Sequence, residues 1–147
     1  MSKSITLNRK ARFNYTIEEE IEAGIMLLGS EIKSIRAGKV NINDAYATEM
    51  EGSIFLVNAH INEYAGANRF NHAPKRPRKL LLHKKQIRKL LSRVDTKGVS
   101  LIPLSLYFNK RNMVKVNLAV AKGKKLYDKR ASIKERDERR SNAREED

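Results

Sequence analysis

From Tyr15 to Leu27 the odd positions read Tyr, Ile, Glu, Ile, Ala, Ile, Leu, while Thr16, Glu18, Glu20 and Glu22 occupy even ones. A period of two predicts a long strand with one buried face. Gly24 inside it predicts a bend or bulge, and Gly29 ends the run. Ser30 then reads as the cap of a short helix with Ile32 and Ile35 on one face, Lys33 and Arg36 elsewhere and Gly38 as its stop. The runs Ala45 to Met50 and Ile54 to Ile61 flank Glu51-Gly52 and predict a hairpin. Residues 64–79 hold Gly66, Pro74 and Pro77 among polar and basic side chains and read as a surface loop. From His83 to Val94 the apolar positions Ile87, Leu90, Leu91 and Val94 follow a helical period, leaving Lys84, Lys85, Arg88, Lys89 and Arg93 elsewhere on the helix. After Gly98, Ile102, Leu104, Leu106 and Phe108 share one face of a strand in which Pro103 suggests an edge or a bulge. A turn at Asn109 to Asn112 leads to a last strand, where Val114, Val116, Leu118 and Val120 alternate with Lys115 and Asn117.

Roughly six strands and two or three helices result, a mainly β fold with flanking helices. Strands joined by hairpins and bent by glycines favour a closed six-stranded antiparallel OB-like barrel, because closure removes exposed edges. An open antiparallel sheet with helices on one face is the second choice. After Tyr127 only Ala131, Ile133 and Ala143 are apolar. Such a segment buries too little to offset its ordering entropy, so a disordered basic C-terminal tail is expected over 127–147, following a folded domain over 1–126. The tail is nonetheless helix-capable: Glu135 precedes Arg139 by one helical turn, with no proline or glycine nearby.

The 147 residues, 40% of them apolar, suit one core and not two. Cysteine is absent, which excludes disulfides, thiolate nucleophiles and Cys-based zinc sites. The first residues lack the apolar core of a secretory signal, and no run approaches a membrane span, so a cytoplasmic protein with no membrane partner is expected.

Charge changes the picture most. The chain carries 31 Lys and Arg against 17 Asp and Glu, a net +14. Residues 1–68 hold seven basic and nine acidic groups, 69–134 twenty basic and two acidic, and 135–147 four basic and six acidic. Solubility needs no such concentration, and an anion-binding surface explains it better than a solvated face without a partner. In the loop, Arg69, Phe70, His72, Lys75, Arg76, Arg78 and Lys79 interleave cations with planar groups, as RNA binding requires.

Catalytic signatures are missing. His60, His72 and His83 lack metal-ligand spacing and are expected as surface or RNA-facing side chains; no cofactor or metal is expected, and no phosphate-binding glycine loop or nucleophile elbow occurs. Glu18, Glu20 and Glu22 read as a solvated strand face, as RNA contacts, or least of all as catalysts. An enzyme is not expected.

Several ordered segments resemble the small protein B family of SsrA-binding proteins along nearly the whole chain: NRKAR at Asn8 to Arg12, EAGI at Glu22 to Ile25, GSEIKSIRAGK at Gly29 to Lys39, RPRKLLLHK at Arg76 to Lys84, AKGKKLYDKR at Ala121 to Arg130 and IKER at Ile133 to Arg136. The resemblance implies a barrel that binds the tRNA-like domain of transfer-messenger RNA and delivers it to stalled ribosomes. It also implies a tail that enters the vacant mRNA channel of the small subunit as a helix. Partners so implied are that RNA, the small ribosomal subunit with its rRNA, and elongation factor Tu in the delivery complex. Carried over by position, Asn8, Glu22 and Leu81 match RNA-binding positions, as does the run Lys122, Lys124 and Lys125. Arg9, Arg12, Lys33, Arg36, Lys39, Arg69, Arg76, Arg78 and Lys79 are the further expected RNA contacts. Tyr127, Asp128, Lys129 and Arg130 match the start of the tail at the decoding centre, and Ile133 and Lys134 its helical part. Tyr127 stands where histidine occurs in the family, and the tail ends in EED. The alternatives are a general barrel-type RNA chaperone or ribosome-associated protein, and a nuclease built on the three glutamates.

Overall fold

The alternating stretch forms β2, Tyr15–Ile25, which pairs antiparallel with β9, Val114–Gly123, over nearly its whole length. The structure is a computed structural model describing residues 3–65 and 71–124. Its other elements are β1 Lys3–Leu7, α1 Ala11–Asn14, α2 Gly29–Arg36, β3 Val40–Asn41, β4 Tyr46–Met50, β5 Ser53–Val57, β6 His60–Ile61, β7 Arg78–Leu81, α3 Lys84–Val94 and β8 Val99–Phe108. Among the described residues the fold is mainly β, with three helices.

Pairing runs β8-β4-β5-β7-β2-β9 and returns from β9 to β8, a ring of six strands. β1 adds to β8 from outside this ring, and β3 and β6 form a separate two-stranded pair. The hairpin is as expected: Glu51 and Gly52, with φ of 53° and 81°, join Met50 to Ser53. Two successive positive φ values give the turn whose twist suits antiparallel strands. β1 and α1 carried no sequence expectation.

Four local expectations fail, each for a physical reason. Gly24 is not the bulge; the register shift in β2 lies between Ile17 and Glu19, where Glu18 is the extra residue. That bulge moves the strand from one packing face to the other. Tyr15 and Ile17 join a small cluster with Ala11, Ile102, Leu104, Ala119 and Ala121, whereas Ile21, Ala23 and Ile25 pack on the main core of Ile54, Leu56, Leu80, Leu90, Leu101, Leu106, Val116, Leu118 and Val120. A matching shift in β8 between Pro103 and Ser105 sends Leu104 and Leu106 to different clusters, so those two do not share a face. The proline marks a bulge, as one reading of it required.

Ser30 is not a helix cap. Leu28 occupies that position, and its backbone N–H donates to Glu31 Oε1 at 2.8 Å. Ser30 is buried, with its Oγ 2.9 Å from His72 Nδ1. Nor is 64–79 all surface loop: His72 and Arg78 are buried, and Arg78 opens β7. Apart from these, α3 follows its pattern, with His83 as N-cap, Leu90 buried and Gly98 at φ 84° beyond its end. The expected tail over 127–147 lies outside the described residues.

Candidate nucleic-acid interface

β9 is buried on one face by the main core and presents Lys115, Asn117, Ala119 and Ala121 on the other. In register beside them stand Glu22 and Glu20 on β2 and Tyr107 and Ser105 on β8. This outer face is graded. Near α1 its small residues are covered by Ala11 and Tyr15, and toward the other end it becomes polar and open.

The polar end is tied by hydrogen bonds. Tyr107 donates its hydroxyl to Glu22 Oε2, Asn117 donates Nδ2 to Glu20 Oε1 at 3.2 Å, and Arg12 reaches the same oxygen at 3.4 Å. Burial, then the Glu22 carboxylate, pushes the Tyr107 hydroxyl well above its ordinary range, so it remains a donor at every physiological pH. Glu22 is thereby aimed while its second oxygen stays open to a base or ribose donor.

Two residues beyond Glu22, Gly24 pairs with Leu81 of β7 and with Lys115 of β9. A Cβ on Gly24 would sit 3.1 Å from Leu81 Cβ and 3.5 Å from Lys115 Nζ, so the missing side chain lets these two approach. Around them Leu27, Arg36 and Met113 help line a hollow of about 250 Å³. Leu81 and Met113 remain about half exposed, at 50% and 53%. Apolar side chains between two cations suit the faces of sugars and bases flanked by phosphates.

The structure thus brings Glu22, Leu81 and Arg36 together from three separate segments. Lys115 was missed by sequence reasoning; a cation alternating with valines reads as a solvated strand position, and only its register opposite Gly24 marks it out. Asn8 lies at the other end of the outer face, donating Nδ2 to the Pro103 carbonyl at 3.0 Å, with its Oδ1 buried and without a partner among the described residues. Arg9 is exposed beside Asn43, and Lys124 donates to the Arg12 carbonyl at 2.9 Å, bringing Arg9, Arg12 and Lys124 to this end. Lys122, opposite Thr16, is exposed but alternates to the face of Val120. Lys33 lies over the Tyr64 ring at 5.3 Å, and Lys39 and Lys79 are exposed.

Two expected RNA contacts are otherwise engaged. Arg78 is fully buried and donates to Glu31 Oε2 at 2.5 Å, to the Ala59 carbonyl at 2.8 Å and to the Pro74 carbonyl at 3.1 Å. It cannot meet an external phosphate. Arg76 is half-buried and its Nη2 lies 2.5 Å from Glu31 Oε1, so its charge is already matched. Burial alone would raise the Glu31 pKa, but Arg76, the Leu28 N–H and Arg78 outweigh it and hold the carboxyl below its ordinary value. His72 likewise is no surface group: its ring bridges Ser30 and the Ile61 carbonyl, fastening the segment to α2 and β6.

The three glutamates do not form one face either. Glu18 and Glu19 turn toward α3, meeting Arg93 and Lys89, while Glu20 and Glu22 stay on the outer face. Arg69, Lys125, Tyr127, Asp128, Lys129, Arg130, Ile133 and Lys134 lie outside the described residues. Among the described residues no group of three or more acidic, His or Cys side chains could hold a metal, and no helix is long and apolar enough to cross a membrane.

Comparison with known proteins agrees with this architecture. The chain is 63% identical over 135 residues to the SsrA-binding protein of Nitrobacter hamburgensis, covering 92% of this chain and 86% of that protein. It is 59% identical over 140 residues to the SsrA-binding protein of Wolbachia from Brugia malayi, covering 95% and 94%. A solved structure described as "tmRNA-SmpB: a journey to the center of the bacterial ribosome" superimposes with a TM-score of 0.69 at 47% identity, over 82% of this chain and 85% of that one. The family described as SmpB protein matches residues 5–147, and the chain therefore belongs to the SmpB protein family.

Proposed function

We propose that this chain is a non-enzymatic RNA-binding protein whose OB-like barrel holds the tRNA-like domain of transfer-messenger RNA on the outer face of β2, β8 and β9. The observation that carries this reading is the meeting of Glu22, Gly24, Leu81 and Lys115 at one end of that face, with Arg36 on the rim. An aimed carboxylate, an exposed apolar side chain and two cations supply the donor, stacking and phosphate contacts that structured RNA needs. The relatives named for SsrA binding and the tmRNA-SmpB structure support the same partner.

The protein delivers this RNA to stalled ribosomes, with elongation factor Tu in the delivery complex. Residues 127–147 then act at the small subunit, Tyr127 to Arg130 at the decoding centre and Ile133 and Lys134 within the vacant mRNA channel. The protein works in the cytoplasm, and peptide transfer and tagging belong to the ribosome and the RNA.

The test is binding of the full chain to the tRNA-like domain against an unrelated structured RNA of equal length at moderate salt. Preference for the former is expected, with log K falling against log salt at a slope of about −4 to −5 if about six phosphates are neutralised. Equal affinity for both RNAs would leave only a general RNA chaperone. For the tail, replacing Asp128, Lys129 and Arg130 with alanine should spare RNA binding while tagging fails.

A further inference from the structure

The structure divides the cations of α3 into two sets. Lys89 and Arg93 are matched by Glu19 and Glu18 of β2. Lys84, Lys85 and Arg88 are exposed and make no ion pair among the described residues. At 3.6 residues per turn these three fall within an arc of about 100°, on the side away from Leu90. Lys84 and Lys85 are the first two residues of the helix, whose first turn contains no acidic group. Cations there oppose the helix dipole. The helix therefore carries them against its own stability, and a local rule broken without a structural return points to a surface kept for a partner.

The chemistry of the stripe selects that partner. Its three members offer charge and hydrogen-bond donors but no Phe, Tyr or Trp on which an unpaired base could stack. Phosphates in a base-paired helix fit, since duplex RNA is recognised by backbone and shape. A lipid surface does not, because the apolar side of α3 is already committed to the core through Leu90, Ile87 and Val94.

We propose that the N-terminal half of α3 is a second RNA-binding surface, which grips the phosphates of an A-form duplex through Lys84, Lys85 and Arg88 independently of sequence. α3 begins three residues after Leu81, which lines the hollow at the end of the sheet. It goes beyond the binding of the tRNA-like domain proposed above and does not require it.

The full chain and its K84Q/K85Q/R88Q variant are titrated with a plain RNA duplex of about 16 base pairs across a salt series. The expected result is at least tenfold weaker binding at low salt and a salt slope smaller in magnitude by about 2–3. A K97Q/K110Q variant, neutralised in the turns flanking β8, reports the effect of net charge alone. The proposal is overturned if the triple variant binds the duplex like the native chain, or if the control loses as much per charge removed. Loss of binding to phosphatidylglycerol vesicles with duplex binding intact overturns it as well. Thermal unfolding of each variant confirms that folding is not the cause. Should the native chain show no preference for the tRNA-like domain, the earlier reading falls, while the duplex titration still decides this one.

Discussion

Arg78 donates its Nε to Glu31 Oε2 at 2.5 Å with neither side chain reaching solvent, and this pair fixes α2 to the strand that carries Leu81. Every oxygen of the carboxylate is used, by Leu28, Arg76 and Arg78, and Arg78 also holds two backbone carbonyls. Removing one partner leaves a desolvated charge, which costs more than the pair contributes. Glu31→Gln is expected to destabilise the protein by about 3–5 kcal/mol. Replacing both residues, as in E31L/R78M, should recover most of that loss, because Arg76 is 34% exposed and can turn to solvent. Urea unfolding of the three proteins measures this, and a double variant as unstable as the single one contradicts it.

The same carboxylate makes stability depend on acid. Glu31 titrates below its ordinary 4.5 in the folded state, so the folded protein binds its proton later than the unfolded chain does. Its contribution is complete above about pH 4.5 and disappears as pH falls through the lowered value. Melting temperature followed from pH 7 toward 3 should fall in the native protein more steeply than in Glu31→Gln. Parallel curves would show that other carboxylates govern the acid response.

The pair also shows where sequence reading stops. Arg78 sits in a stretch rich in proline and cations, a composition that reads as loop, and nothing in it reveals that Glu31, 47 positions earlier, requires a buried guanidinium. β2, α3 and β9 were legible because long periodic patterns need only local geometry. The bulges at Glu18 and Leu104 were not, since each exchanges one buried face for another and keeps the residues apolar. In the candidate site, Leu81 came from resemblance and Glu22 from its place in an alternating strand as well as from resemblance, whereas Lys115 required the register that sets it opposite Gly24.

Even a methyl at Gly24 would sit 3.1 Å from Leu81 Cβ, so any side chain there must displace Leu81. Gly24→Val crowds both Leu81 and Lys115 where β2 and β7 pair, and overpacking of this kind costs about 1–3 kcal/mol. Because the displaced residues form the hollow, the variant should lose RNA affinity by more than tenfold at temperatures where it remains fully folded. Circular dichroism with RNA titration separates the effects. Unchanged affinity in a folded Gly24→Val protein would remove Leu81 and Lys115 from the interface.

Tyr107→Phe isolates the aiming of Glu22. The substitution keeps the ring and removes only the hydroxyl that donates to Oε2, at an exposed carboxylate that water can serve instead, so stability should change by no more than about 0.5 kcal/mol. RNA binding should respond differently, because a carboxylate free to rotate must be ordered when RNA arrives. A loss of about 1 kcal/mol, roughly fivefold in Kd, is expected. Tyr107 stays protonated across the physiological range, so the ratio of native to variant affinity should be flat between about pH 6 and 9. Combining Tyr107→Phe with Glu22→Gln completes the argument. If the tyrosine acts only by orienting Glu22, it adds nothing once the carboxylate is gone, and an additive double variant would place the hydroxyl in direct contact with RNA.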